Sequence, residues 1–327
     1  MAEPSLQSMN KNPPHVQVDV PATDENFDAK AYLAGNPDVD RAVRSGQIAS
    51  ARAHYDVFGK EEGRRLRKSS DIAPLRAFKL QELHDKLCLE LPHVRCGDKF
   101  DFLTDELRAE CAISSTDAVS ANSYDGYVID LINRHANGCV LDVGAGMRDV
   151  YYQNVINYEI VDYDTTDVVG VGEKLPFKNS CFDGIISIAV MEHVRDPFQC
   201  AREIVRVLKP GGQLVCAVPF LQPLHGYPHH YYNMTQQGLR ALFERDLDIT
   251  AQFVSPSLLP IWSLTWILRS WSLGLTGASK TEFLEMKVAD LIDPPERYLA
   301  RSFVRDLTNE KNFELASGTM LLASKPG

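Results

Sequence analysis

Short apolar runs alternate with amphipathic stretches between residues 124 and 220. Apolar residues stand at consecutive positions within each run, as is typical of strands covered on both faces of a parallel sheet. The amphipathic stretches have the spacing of helices with one buried face. The pattern predicts an α/β domain with strands over 139–143, 154–160, 167–171, 184–190 and 213–218, helices over 127–134 and 197–208, and two later strands over 248–254 and 318–323.

The N-terminal part follows a different pattern. Residues 1–25 hold few large apolar side chains, which predicts a disordered lead. Glycine and proline then separate three short helical stretches between residues 26 and 68. With YLAGNPDV at 32–39 and HYDVFGKEEGR at 54–64, this stretch resembles a short helical repeat attached to assorted bacterial proteins. We expect a small all-α module without chemistry, followed by a helical linker over 69–115.

Charge and cysteine content narrow the class of protein. The chain has 327 residues and a net charge of −10, which disfavours a nucleic-acid-binding surface because phosphate contacts need basic residues. Its seven cysteines form no CxxC pair, so we expect neither a disulfide framework nor a zinc site of that type. With no signal peptide evident at the start, these features predict a protein of the reducing cytoplasm.

A tryptophan-rich segment over 257–277 stands apart from the predicted sheet. Its apolar stretch, 258–275, approaches the length needed to cross a bilayer but is interrupted by Pro260 and Arg269. The three tryptophans would suit a membrane interface. We expect a helical cap or lid over the core, and peripheral membrane contact through 258–275 is the alternative.

The first predicted strand of the α/β region ends in two glycines, Gly144 and Gly146. In doubly wound sheets a ligand binds beyond the carboxyl ends of the strands, where the strand order reverses. Glycine lets the backbone turn tightly and approach such a ligand closely. Two glycines are a weak signal by themselves, because a structural turn would explain them equally well.

Five motifs in order resemble the class I S-adenosylmethionine-dependent methyltransferases of type 11. They are VLDVGAG at 140–146, LPF at 175–177, CFDGIIS at 181–187, MEHV at 191–194 and REIVRVLKPGG at 202–212. The resemblance implies a doubly wound, seven-stranded, mostly parallel Rossmann-like sheet over 116–327, with S-adenosylmethionine as cofactor. A nicotinamide-binding fold fits less well, because its third glycine is replaced by Asp149.

The resemblance also implies a set of cofactor-binding residues. The acid that binds the ribose in the family corresponds to Glu159, although Asp162 and Asp164 lie close enough to compete. The acid that usually faces adenine is replaced by Val171, so Glu173 or apolar contact with Leu175 would have to serve. The full implied set is Asp142, Gly144, Ala145, Gly146, Glu159, Glu173, Leu175 and Ala189.

A loop rich in histidine and tyrosine follows the fifth strand. It resembles the PFxxxxHGxPxDYxRxT stretch of bacterial methyltransferases that modify sugars and envelope components, with His230 and Asn233 at the positions of the usual acid and arginine. We expect His225 to be the first candidate for a general base. The other candidates are His229 and His230 for catalysis and Glu192, His193, Tyr227 and Tyr231 for substrate contact. No further ligand for a metal is evident beside the loop histidines, so no metal site is expected.

Together these features predict a methyltransferase acting on a small-molecule acceptor or on one linked to a glycan or lipid, most simply by O-methylation. The alternative is a methyltransferase-like protein that binds a partner without catalysis, which the altered adenine position at Val171 keeps open. The sequence leaves the acceptor and the oligomeric state undetermined.

Overall fold

A computed structural model describes residues 12–114, 120, 121, 123–226 and 228–317 of the chain. Its strands are β1 (His15–Gln17), β2 (Asp19–Pro21), β3 (Arg65–Arg67), β4 (Val94–Cys96), β5 (Lys99–Asp101), β6 (Val140–Val143), β7 (Val150–Tyr152), β8 (Val155–Glu159), β9 (Val168–Val169), β10 (Phe182–Ile188) and β11 (Leu208–Ala217). The helices are α1 (Ala29–Gly35), α2 (Pro37–Arg44), α3 (Ala51–His54), α4 (Ala73–Lys86), α5 (Asp105–Glu110), α6 (Gly126–Arg134), α7 (Pro197–Val207), α8 (Gln236–Phe243), α9 (Pro260–Leu273), α10 (Gly277–Glu285), α11 (Val288–Leu291), α12 (Ser302–Arg305) and α13 (Asn309–Leu315).

A seven-stranded sheet in the order β11-β10-β6-β8-β9-β5-β4 forms the centre of the molecule. All neighbouring pairs are parallel except β4 with β5. Alternate residues of β6 explain why both faces are covered: Leu141 packs in a core with α7, whereas Val140 packs in a second core with α6. The predicted doubly wound, mostly parallel sheet is therefore confirmed.

The helices that flank the sheet begin at capping residues. Asp125 accepts hydrogen bonds from the backbone of Tyr127 and Val128 at the start of α6. Asp196 caps α7 in the same way, and Pro197 occupies its first turn. The predicted Lys-Pro-Gly-Gly turn interrupts the pairing of β11 with β10, which passes from Leu208 directly to Gln213.

Two strands of the sheet come from a part of the chain that was predicted as a helical linker. Residues 69–115 do contain the expected helix, α4, but they also supply β4 and β5. The predicted strand over 248–254 is wrong, because Phe253 and Val254 are exposed and the segment forms no strand. The edge of the sheet beside β9 is filled by β5, through the pair Phe100 and Val168. The strand predicted over 318–323 lies outside the described residues.

The connection between β6 and β8 also differs from expectation. The sequence pattern predicted no strand in this segment, whereas the structure has the short strand β7. Strand β1 pairs with β7 in antiparallel register, from His15 opposite Tyr152 to Gln17 opposite Val150. Residues 12–25 of the predicted disordered lead are therefore ordered by pairing with the α/β domain and with β3.

The N-terminal module contains the three predicted helical stretches, the third of which continues as a π-helical turn over Tyr55–Gly59. It is not all-α, because β2 and β3 form an antiparallel pair beside the helices. Its core includes Tyr32, Val39 and Leu66. A hydrogen bond of 2.9 Å joins the Tyr32 hydroxyl to His54, which is packed inside the module, as expected.

Buried ion pairs join the N-terminal segments to the sheet. Asp167, which precedes β9, accepts a hydrogen bond of 2.8 Å from Lys79 of α4 and another from Tyr151. Arg67 of β3 pairs with Asp164. Because unpaired buried charges are costly, these contacts favour one fixed position of the module against the domain.

The helices after α8 form a separate cluster, whereas α8 packs in the main core. Its small core contains Leu275, Phe283, Phe303 and Leu307, and Trp271 packs against that core. Helix α9 leaves Ile261, Trp262 and Leu264 exposed. No helix within the described ranges combines the length and apolar character needed to cross a membrane.

Candidate functional site

A crevice of about 810 Å³, including its open mouth, lies at the carboxyl ends of β6, β8, β9 and β10. The sheet order reverses between β6 and β10, which is where doubly wound sheets bind their ligands. Each of the four strands contributes to the wall through the residues at or just after its end, represented by Gly144, Glu159, Val171 and Ala189.

The turn after β6 requires both glycines. Gly144 and Gly146 have φ angles of 69° and 64°, in the left-handed region that side chains disfavour. A Cβ atom on Gly144 would lie 2.4 Å from Cγ2 of Val190, and one on Gly146 would lie 2.8 Å from the carbonyl oxygen of Ser120. Gly144 lines the crevice, whereas Ala145 and Gly146 shape the turn behind it.

Glu159 ends β8 and lines the crevice with a buried side chain. Its two carboxylate oxygens accept hydrogen bonds of 2.7 Å from the backbone N–H groups of Gly146 and Ile160. Burial raises the pKa of Glu159, and the backbone donors partly oppose that shift. A carboxylate can accept about four hydrogen bonds, so this side chain keeps acceptor capacity for a ligand.

The two competing acids lie elsewhere. Asp162 pairs with Lys99, and Asp164 pairs with Arg67 and Ser69. Neither is among the residues that line the crevice. Of the three candidates, only Glu159 is placed to meet a ligand there.

Asp142 is placed behind the crevice instead of along its wall. Its side chain is fully buried and accepts hydrogen bonds of 2.6 Å from Tyr124 and 2.9 Å from Arg148. Burial raises the pKa of Asp142, and the charge of Arg148 opposes the shift. The arginine two residues beyond the glycine turn was the sequence signal for this pair.

The wall after β9 contains Val171, Gly172 and Glu173, so the position that departs from the family pattern does face the crevice. Glu173 accepts a hydrogen bond of 2.9 Å from the backbone of Arg195. Leu175 packs in the core and does not reach the crevice. The wall also includes residues that the sequence did not indicate, namely Cys111, Ile113, Ser120, Ile160, Val161 and Tyr163.

Glu192 follows β10 and is fully buried. Within the described part of the chain, neither of its carboxylate oxygens has a hydrogen-bond partner. Burial therefore raises the pKa of Glu192 to about 8. Its backbone carbonyl accepts a 2.7 Å hydrogen bond from the N–H of Tyr231, which holds the histidine loop against this turn.

His193 is the histidine of the predicted site that lines the crevice. Its Nδ1 lies 2.6 Å from the carbonyl oxygen of His229, so Nδ1 carries the proton and Nε2 has a free lone pair. Nε2 lies 3.8 Å from a carboxylate oxygen of Glu192. Burial lowers the pKa of His193 to about 4, so its ring is neutral at pH 7.

The loop histidines have three different environments. His225 places Nδ1 2.9 Å from the carbonyl oxygen of Pro223, and its ring centroid lies 5.0 Å from that of His193. His230 has both ring nitrogens engaged, with the N–H of His225 and with Asn233. His229 contacts the carbonyl oxygen of Ala112 through Nε2.

Tyr231 and Trp266 border the histidine loop. Tyr231 is partly exposed beside His229, with 5.5 Å between the ring centroids. Tyr227 lies outside the described residues. The ring of Trp266 from α9 lies 5.2 Å from that of His225, so the tryptophan-rich helix borders the histidine loop.

Although no metal site was expected, Glu192, His193 and His225 come together. One potential ligand atom from each side chain lies within 4.8 Å of those of the other two. The sequence could indicate the pair at 192 and 193, but only the fold brings His225 beside it.

The crevice suits an adenosyl group in its chemistry. The buried carboxylate of Glu159 can accept hydrogen bonds from vicinal hydroxyls. Ile160, Val161 and Val171 offer apolar contact for a flat base.

Comparison with known proteins agrees with this assignment. Residues 125–216 match a family model described as a methyltransferase domain. The chain is 36% identical over 74 residues to the uncharacterized protein YafE of Escherichia coli, covering 23% of this chain and 35% of YafE. It is 24% identical over 197 residues to an uncharacterized protein in transposon TN4556 of Streptomyces fradiae, covering 49% of this chain and 55% of that protein. The chain thus spans about half or less of these relatives.

Solved structures share local similarity with the chain. A methyltransferase of Thermotoga maritima, described as a possible histamine N-methyltransferase, is 17% identical with a TM-score of 0.26, over 33% of this chain and 62% of the other. The YcgJ protein of Bacillus subtilis is 18% identical with a TM-score of 0.28, over 44% of this chain and 80% of the other.

The reversed strand order and the crevice at its switch point define a nucleotide-binding α/β domain. The family match specifies that domain further. Over residues 125–216 the chain is similar to a methyltransferase domain, and this match supports S-adenosylmethionine as the cofactor.

Proposed function

We propose that this protein transfers a methyl group from S-adenosylmethionine to a hydroxyl of a small-molecule, glycan or lipid-linked acceptor. The observation that carries the proposal is the direct connection between the crevice and the histidine loop. His193 and Pro228 line the crevice, and the ring of His225 stands beside that of His193. An acceptor held at the histidines would therefore lie at the mouth of the cofactor site.

The cofactor supplies a methyl group already activated by its positive sulfur. Glu159 would bind the ribose hydroxyls, Gly144 would let the methionine end approach the backbone, and Val171 would contact the adenine. Ala189 and Glu173 would complete the wall. These residues chiefly bind and orient, since the reaction needs alignment and exclusion of water more than chemical activation.

The acceptor hydroxyl must lose its proton as its oxygen bonds to the methyl carbon. His225 is the proposed base, because its Nδ1 is bound to a carbonyl and Nε2 remains to accept a proton. Such a base contributes about 10²–10⁴-fold in rate. His229 and His230 would position the loop, and His193 and Tyr231 would contact the acceptor. Glu192, predicted to contact substrate, is fully buried and lies off the crevice wall.

Binding and transfer can be tested separately. We expect calorimetry to show binding of S-adenosylhomocysteine to the full-length protein, and a screen with tritiated cofactor to show transfer to a hydroxylated acceptor. His225→Asn should lower turnover about 100-fold or more while the affinity for S-adenosylhomocysteine stays unchanged. Equal turnover of the variant and the parent protein would remove His225 as the base.

The alternative is a non-catalytic domain that binds a partner. It is favoured by the apolar Val171 at the adenine position and by the ion pair of Asp142 with Arg148, which keeps Asp142 off the crevice wall. The same calorimetry distinguishes the two functions. An absence of S-adenosylhomocysteine binding by the folded protein would favour the partner-binding function.

A lipid-linked acceptor would account for the apolar surface around the loop. Trp262 of α9 is 59% exposed, and Phe220, Leu221 and Leu224 of the loop are also exposed. We expect the protein to float with phosphatidylcholine vesicles and Trp262→Ser to reduce the bound fraction. Phe78→Ser, at an apolar side chain that is 46% exposed on α4, is the control and should have no effect. Absence of flotation by the parent protein would contradict peripheral membrane contact.

A further inference from the structure

We propose that Glu192, His193 and His225 bind a divalent transition-metal ion beside the cofactor crevice. The first observation concerns Glu192, which is 0% exposed. Within the described part of the chain, its carboxylate oxygens accept no hydrogen bond, and its nearest ion-pair partner is the ring of His193 at 3.8 Å. A buried carboxyl group without donors must either hold a proton or have a positive species against it.

A ring nitrogen of each neighbouring histidine lies within 4.8 Å of this carboxylate. A carbonyl oxygen only accepts hydrogen bonds, so the contacts of His193 with His229 and of His225 with Pro223 place a proton on each Nδ1. Nε2 is then the nitrogen of each ring that is available to a metal ion. A cation between the two rings and the carboxylate would bind all three side chains.

The hydrogen bonds that Nδ1 makes in His193 and His225 are typical of histidines that bind a metal through Nε2. Histidines that bind a metal through one nitrogen almost always donate the other N–H to a carbonyl or carboxylate, which fixes the ring. Both histidines do so here, at 2.6 Å and 2.9 Å. His230 adds a further restraint, because its ring accepts the backbone N–H of His225.

Distances and ligand types indicate the kind of ion. The three ligand atoms lie within 4.8 Å of one another, whereas ligands at about 2.0–2.2 Å from zinc lie about 3–4 Å apart. A movement of about 1 Å by His225, which belongs to a loop, would therefore complete the site. Two imidazoles and one carboxylate suit Zn²⁺ and neighbouring transition metals, and they leave a coordination position open. With the ion bound, Nε2 of His225 is a ligand and cannot accept a proton, so the role of His225 as a base belongs to the metal-free protein.

The test is direct metal binding by the full-length protein without cofactor or acceptor. After treatment with a chelator, we expect calorimetry and elemental analysis to show one high-affinity Zn²⁺ per chain. Co²⁺ should give visible absorption bands that report its ligands. Glu192→Gln and His225→Ala should each lower the Zn²⁺ affinity by more than the roughly 10–100-fold typical of losing a residue behind a ligand.

His84→Ala is the matched control, because His84 is exposed on α4 and distant in sequence from the cluster; its affinity for Zn²⁺ should equal that of the parent protein. The proposal is overturned if the folded parent protein shows no high-affinity Zn²⁺, or if both site variants bind it as tightly as the parent does. Binding of S-adenosylhomocysteine is measured separately, so failure of this proposal leaves the methyltransferase function intact.

Discussion

Two buried glutamates, Glu159 and Glu192, lie at the carboxyl-end side of the same sheet, and they differ in their hydrogen bonding. Glu159 lies at the end of β8, and each of its carboxylate oxygens accepts a backbone hydrogen bond of 2.7 Å. Glu192, four residues after β10, has no donor for either oxygen among the residues that the structure describes. Glu159 can therefore remain a carboxylate and bind a neutral ligand, whereas Glu192 requires a proton or a cation.

The difference shows in the pKa values of the two carboxyls. Burial raises both, but the backbone N–H groups of Gly146 and Ile160 oppose the shift at Glu159. No comparable pair of donors opposes the shift at Glu192, and burial raises its pKa to about 8. The same residue type thus serves two chemical purposes because of the donors that the surrounding backbone provides.

The largest predicted effect concerns the pH dependence of stability in chelator-treated protein. Because the pKa of Glu192 rises from 4.5 to about 8 on folding, the folded state holds its proton more tightly than the unfolded state does. Stability should therefore fall between pH 4.5 and pH 8, by up to about 5 kcal/mol relative to Glu192→Gln. Urea unfolding at pH 5 and pH 8 measures the difference.

The exposed Glu61 provides the control for this experiment, since Glu61→Gln should change stability equally at both pH values. Parallel pH dependence of the parent protein and Glu192→Gln would show that Glu192 does not titrate in this range.

A second experiment strains the turn whose backbone donates to Glu159. Gly146→Ala would place a Cβ 2.8 Å from the carbonyl oxygen of Ser120 at a φ of 64°. We expect the free energy of unfolding to fall by about 3 kcal/mol, from backbone strain and overpacking together. Gly46→Ala, at a φ of 76° with no atom within 4 Å, carries the strain alone and should cost about 1 kcal/mol. Equal losses in the two variants would contradict the close packing of the turn.

Glu159→Gln tests whether the carboxylate of Glu159 binds the ribose of the cofactor. Hydrogen bonds to a charged group contribute about 1.5–3 kcal/mol, so the affinity for S-adenosylhomocysteine should fall about 10–100-fold. Asp162→Asn alters an acid that pairs with Lys99 away from the crevice and should leave the affinity unchanged. Calorimetric titration of both variants decides between the two acids, and loss of affinity only in Asp162→Asn would reverse the assignment.

The smallest effect concerns Asp142, a third buried carboxylate, of which one oxygen accepts hydrogen bonds from side chains. Tyr124→Phe removes a hydrogen bond of 2.6 Å to it and should lower the free energy of unfolding by about 1.5 kcal/mol. Because Asp142 does not line the crevice, cofactor affinity should remain as in the parent protein. Weaker S-adenosylhomocysteine binding by the folded variant would restore Asp142 as a cofactor contact.

The parallel sheet could be predicted from the sequence because its central strands are short, apolar and separated by strong helix signals. β6 and β8 are buried at every position, so their pattern is the one expected for strands covered on both faces. The edge was harder to predict. β4 and β5 have three residues each, and such short segments carry too little periodicity to distinguish a strand from a connection.

Within the candidate site, features formed by residues adjacent in the chain could be predicted from the sequence, whereas contacts between distant residues could not. The glycine turn and Glu159 lie next to strand ends, so sequence order alone placed them at the carboxyl edge of the sheet. The pairing of Asp142 with Arg148 was missed, because sequence similarity indicates that an acid is present but not which donor will satisfy it. Cys111 and Ile113 were missed because they precede the domain and reach the crevice only through tertiary packing.

The sequence by itself therefore determined the α/β class, the glycine turn and the acid that ends the second strand of the domain, since these depend on residues adjacent in the chain. The tertiary structure decided which buried carboxylate is satisfied and which is not, and it brought His225 to Glu192 and His193 across more than thirty residues of chain. Hydrogen-bond satisfaction of a buried group depends on which donors surround it, and the identity of those neighbours is a property of the folded chain.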